Sequence, residues 1–177
     1  MSTPPTHAFV QFDVDRLTKA RDWFELQMPD RADMESWAQV IDRRSDSIVR
    51  GLAEGDEEHC RTTCCIAGFL VLEAAHINPL DPGAVFSAIQ GSINPGRDWG
   101  AVAEKLLTDD VWDRTKLFDK GSWPAEHEEL ARRKGDRVAI VKLLDDILDG
   151  RVRLTVAEPD HDYDGEWLDD LGRNIEQ

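Results

Sequence analysis

The chain has no apolar run approaching the roughly 18 residues of a membrane-spanning helix, so no segment is expected to cross a bilayer. It is poor in bases. Lys and Arg number 21 against 36 Asp and Glu, a formal charge of −15. Attraction to phosphate needs a Lys/Arg surplus, so direct binding to nucleic acid or to an anionic membrane is disfavoured. A basic protein partner suits the charge better. Cysteine is scarce and odd in number, at three. That fits a reduced, cytoplasmic protein rather than a disulfide scaffold. The opening "MSTPPTHAFV" lacks the basic and apolar regions of a secretion signal. There is no G-x-S-x-G, no G-x-x-x-x-G-K and no G-x-G-x-x-G. "HEELA" begins at His127 like a zinc-binding H-E-x-x-H, but Ala131 stands where the second His is needed. No repeat of 20–50 residues is visible. An enzyme is therefore the less favoured reading.

What is present is enough apolar residue, 41% of 177, for one domain with a core. Residues 1–12 read as a flexible N-terminus, 13–150 as a helical domain and 151–177 as an acidic C-terminal tail. Val14, Leu17, Ala20 and Phe24 recur at helical spacing, with Asp13 as N-cap. The stretch 33–55 reads as helical, with a break near Asp46. "CCIAGFLVLEAAH" is apolar on nearly all sides, the pattern of a buried central helix over about 63–76, with Thr62 and Thr63 positioned to cap it. Gly68 in its middle implies close approach by another helix. Shorter helical segments follow around Ala84–Gln90, Arg97–Leu107, Asp109–Phe118 and Ala125–Arg133, with Trp123 folded back as a plug. Asp136, Val138, Val141, Leu144 and Leu148 mark a last strong helix ended by Gly150. Val152, Leu154 and Val156 alternate with polar residues, a short strand at 151–156. The expected fold is all-α: six or seven short helices around the buried one, with the acidic extension.

The order of Cys60, Thr62, Cys65, Ala67, Gly68 and Phe69 resembles the C-x-T-x-x-C-x-A-G-[WF] signature of small uncharacterised phage and actinobacterial proteins. Asp33, Met34 and Trp37 upstream are similar to that family's approach to the motif. Leu117, Phe118, Trp123 and Pro124 are similar to its second block, and "DRVAIVKLLDDI" to its closing helix. The resemblance covers roughly 13–150. This chain departs in having Phe69 where Trp is usual and an additional Cys64. The resemblance implies a fold and a phage or prophage origin, and no activity.

The cysteine knot admits several readings. Cys60 and Cys64 would offer two thiolates to zinc, but no second C-x-x-C or His pair completes four ligands. Cys60 and Cys65 would pair only if their Cα atoms lay about 4.4–6.8 Å apart. A helix N-terminus would activate a thiolate, with His59 as the one nearby base. Core packing is the favoured reading, because free cysteine behaves as a small hydrophobe. Asp160, Asp162, Asp164 and Gly165 reproduce the first half of a calcium loop, yet position 12 is Leu171. A weak calcium site and a solvated acidic tail are both open there, the tail being favoured. Acids cluster at 54–58, 109–113, 126–129, 145–149 and in the tail. Trp167 in the tail, flanked by Asp169 and Asp170, is the candidate docking residue, onto the protein itself or onto a partner. The functional expectation is a small acidic non-enzymatic binding protein acting on a host macromolecule, of nucleic-acid-mimic or inhibitor type. The alternative is a metal-binding protein or enzyme using Cys60, Cys64 and Cys65 or the degenerate calcium loop.

Overall fold

The computed structural model describes residues 8–27, 31–34, 36–51, 60–92 and 99–157. Helix α1, Val14–Leu26, starts where the Asp13 carboxylate accepts the N–H of Arg16 at 3.0 Å. It buries Leu17, Ala20 and Phe24, as their spacing predicts. Then the chain departs from the all-α expectation. Strands β1 (Ala38–Asp42), β2 (Ser47–Ile48) and β3 (Cys60–Cys64) form an antiparallel sheet in the order β2-β1-β3. The fold is mixed α/β.

The stretch 33–55 reads as a helix because Met34, Trp37, Val40 and Ile41 fit a 3.6-residue period. Val40, Ile41, Ile48 and Val49 are β-branched, however, and suit a pleated surface at least as well. The local chemistry of 42–46 favours a turn. The Asp42 carboxylate accepts the N–H of Arg44 at 2.8 Å, and the Asp42 carbonyl accepts the N–H of Asp46 at 2.8 Å. Asp46 itself takes φ 52°, a left-handed conformation incompatible with a continuing helix. Thr62 and Thr63 are likewise strand residues and not helix caps.

Helix α2 is Ile66–Ala74, shorter than the expected 63–76, and residues 66–72 are all buried. Its N-cap is Cys65, whose Sγ accepts the N–H of Gly68 at 3.3 Å. Helix α3 (Pro82–Ser87) is capped by Asp81 and continues into a wider turn over Ala88–Ser92. It lies against β1 and β3. Helix α4 (Trp99–Leu107) packs on α2, and the one-turn α5 is Thr115–Phe118. Trp123 is the expected plug: it is buried, and its indole N–H donates to the Leu117 carbonyl at 3.0 Å. Helices α6 (Ala125–Lys134) and α7 (Asp136–Leu148) meet at Gly135, φ 89°. Asp136, expected to cap α7, instead accepts the N–H of Met34 and pairs with Lys120. Both ends of the described chain are tied down together. Val10 N–H donates to the Leu154 carbonyl, and Val156 N–H to that of Ala8. The expected strand at 151–156 is thus two isolated bridges, Phe9 to Thr155 and Trp112 to Val156.

Candidate functional site

Strand β3 and the start of α2 contain every anchor of the cysteine motif. Side chains alternate along a strand, so Cys60, Thr62 and Cys64 share the inner face, where all three are buried. The Thr62 hydroxyl donates to the Pro79 carbonyl and accepts from Arg31 at 3.0 Å. Cys65 turns the chain into α2, and Ala67 is wholly enclosed. A Cβ at Gly68 would sit 1.6 Å from the Trp37 carbonyl oxygen. The close neighbour of Gly68 is therefore the backbone leading into β1, not a second helix.

This geometry bears directly on the cysteine chemistry. Among the described residues none of the three cysteines forms a disulfide. Five residues of strand put Cys60 about 16 Å from Cys65, well beyond disulfide reach. Burial raises the Cys64 thiol well above its ordinary pKa, and the adjacent Cys65 raises it further. Burial likewise pushes Cys65 up to about 11, against the hydrogen bond from Gly68. Metal ligation and nucleophilic attack both need the thiolate, which these surroundings oppose. His76 is exposed beyond the far end of α2, and His59 lies outside the described residues.

A second constellation joins α6, α7 and the strand-like segment after them. His127 and Asp146 are 0% and 1% exposed. His127 Nε2 lies 2.8 Å from Asp146 Oδ2, which also accepts from Lys142, while Oδ1 accepts from Arg151. The Asp146 carbonyl takes the N–H groups of Arg151 and Val152 at 2.8 and 2.9 Å. Burial works to raise this carboxyl, but hydrogen bonds from Lys142, Arg151 and His127 outweigh it and hold it at about 2. Glu126 completes a triad of ligand-type atoms, with Oε1 3.8 Å from His127 Nδ1. Two cations already neutralise Asp146, and no part of His127 is exposed to solvent. The cluster ties Arg151 and Val152, where segment 151–157 begins, to α7.

Sequence reasoning missed this pair, although a signal existed. Asp146 falls in phase with Ala139, Ile140 and Leu143 on the buried stripe of α7. It was grouped instead with the surface acids of 145–149.

The proposed calcium ligands Asp160, Asp162 and Asp164 lie outside the described residues. So do the proposed partner-binding residues Trp167, Asp169 and Asp170. The acid cluster 54–58 also lies outside the described residues. In the others, Asp113 accepts the N–H of Thr115 at 3.1 Å, Asp110 accepts the N–H of Gln11, and Asp145 pairs with Arg21 at 2.8 Å. The described residues hold 21 acids and 19 bases, a net of −2 against −15 for the whole chain. No protein-family model, curated protein or solved structure matches this chain. Among the described residues no helix is long and apolar enough to cross a membrane.

Proposed function

We propose that this protein is a non-enzymatic binding module for a macromolecule with a basic surface, engaged through its acid-rich segments 52–59 and 158–177. One observation carries this reading. The described frame is close to neutral, whereas residues 52–59 hold four acids and no Lys or Arg, and 158–177 hold eight acids and one Arg. Most acids of the frame serve as caps and ion-pair partners; the two segments carry most of the excess of acid over base in the sequence. Surplus charge of one sign steers a complementary partner and suppresses wrong ones. The resemblance to phage and actinobacterial proteins adds a setting, in which the partner is a host protein whose basic groove ordinarily holds nucleic acid.

The test is capture from host lysate on the immobilised full chain, at low and moderate salt. A variant with Glu54, Asp56, Glu57 and Glu58 changed to Gln or Asn, and Asp169 and Asp170 to Asn, serves as comparison. A basic protein should be retained by the native chain, released by salt, and retained much less by the variant. Recovery of no partner at either salt, or equal retention by the neutralised variant, refutes the proposal.

A further inference from the structure

The sheet has two unlike faces. Cross-strand pairs Gln39 with Thr63, Ile41 with Arg61 and Ile41 with Ile48 share the face opposite the buried Val40, Cys60, Thr62 and Cys64. The same alternation adds Trp37 before β1 and Arg50 after β2. On this outer face Ile48 is 59% and Trp37 40% exposed. Arg50, and Arg43 in the adjoining turn, are exposed and make no ion pair among the described residues. Ile41 and Thr63 on the same face are only 9% and 6% exposed, so the open apolar surface is that of Trp37 and Ile48.

An occupant must bring apolar surface to Trp37 and Ile48 and anions to Arg43 and Arg50. Segment 158–177 has both. Its Trp167, Leu168, Leu171 and Ile175 recur at the spacing of one helical stripe, and eight acids surround them. The segment begins next to Ala157, whose N–H is fixed to the Val111 carbonyl at 2.7 Å. Twenty residues reach roughly 66–72 Å when extended, and a globule of about 150 residues has a radius of gyration of only about 15 Å. Every face of the domain is therefore in range.

We propose that segment 158–177 docks on the outer face of the sheet in its own chain, with Trp167 and Leu171 against Trp37 and Ile48 and its carboxylates at Arg43 and Arg50. The contact masks the arginines and most of the surplus acid at once. A basic partner must displace it, so the free and engaged forms of the protein differ in where this segment lies.

Hydrogen exchange read by mass spectrometry on the isolated full-length chain tests this without any partner. Peptides covering 44–51 and 165–173 should both exchange about tenfold more slowly than unstructured chain. Ile48→Asp or Arg50→Glu should release 165–173, and Trp167→Ala should release 44–51. Both sheet positions are exposed, so their substitution leaves the core in place. Adding Asp169→Lys and Asp170→Lys to Arg50→Glu should restore protection. Unstructured-chain exchange of 165–173 in the native protein overturns the proposal, as does a change on one side that leaves the other unaffected. Protection that grows with protein concentration would place the segment on a second copy and overturn the intramolecular contact. Failure here leaves lysate capture free to succeed, and failed capture leaves this contact standing.

Discussion

Adding one methyl group at Gly68 should destabilise the protein, although Ala is the better helix former. At an unhindered helical position Gly68→Ala would gain about 1 kcal/mol. Here the new Cβ would lie 1.6 Å from the Trp37 carbonyl oxygen and 2.6 Å from its carbon, where ordinary contact begins at 3.4 Å. The chain before β1 must retreat by about 2 Å to restore contact distance. That carbonyl accepts the N–H of Cys65 at 3.1 Å, the bond that joins the start of β1 to the cap of α2. Overpacking costs about 1–3 kcal/mol, and leaving a buried donor unsatisfied about 1–3 more. Set against the helical gain, the net loss is about 1–5 kcal/mol, a large share of the 5–15 kcal/mol typical of a domain. The melting temperature should fall by roughly 2–20 °C for a chain of this size. Urea unfolding followed by circular dichroism checks it, with a lower midpoint at unchanged slope as the expected form. A variant as stable as the native protein, or more so, would mean that the backbone leading into β1 does not cross α2 at Gly68. The structural account of the cysteine motif would go with it.

The three thiols should resist alkylation at neutral pH in the native protein and react only as it unfolds; rapid labelling of Cys60, Cys64 or Cys65 in the folded state would contradict their burial. Asp146→Asn should cost about 2–3 kcal/mol, because it strands two cations and the buried imidazole, while Lys142 and Arg151 retain some access to water. The Asp146 carboxyl, held at about 2 in the fold against about 3.9 in an unfolded chain, favours the fold as the anion. Its contribution, about 1–2 kcal/mol after allowing for its half-exposed partners, is complete above about pH 4 and lost as pH falls through 2. Acid unfolding of native protein and variant should therefore converge over that window, and a constant gap would refute the assignment. Calcium should leave the melting temperature unmoved, since Leu171 replaces the bidentate ligand of the loop begun at Asp160. A calcium-dependent rise would revive the metal-binding reading.

Much of the helical part was readable from spacing alone. The stripe of Leu17, Ala20 and Phe24 behind the Asp13 cap, the all-apolar 66–72 and the long final helix each depend on contacts within a few residues of chain. The burial of Cys60, Cys64 and Cys65 was readable too, from the apolar run that follows them. The sheet was not readable. Apolar pairs at Val40–Ile41 and Ile48–Val49 satisfy a helical period as well as a strand, and the choice falls to Cys64, which pairs with Ala38 from 26 residues away. Gly68 announced a close neighbour but not that it was the backbone leading into β1. Asp146 lay on a buried stripe, yet only the convergence of His127, Lys142 and Arg151 makes an ion tolerable there. The sequence by itself determined charge, composition and the elements whose stability is local. Tertiary structure alone decided strand against helix and buried acid against surface acid, because both depend on partners that the chain brings together only when folded.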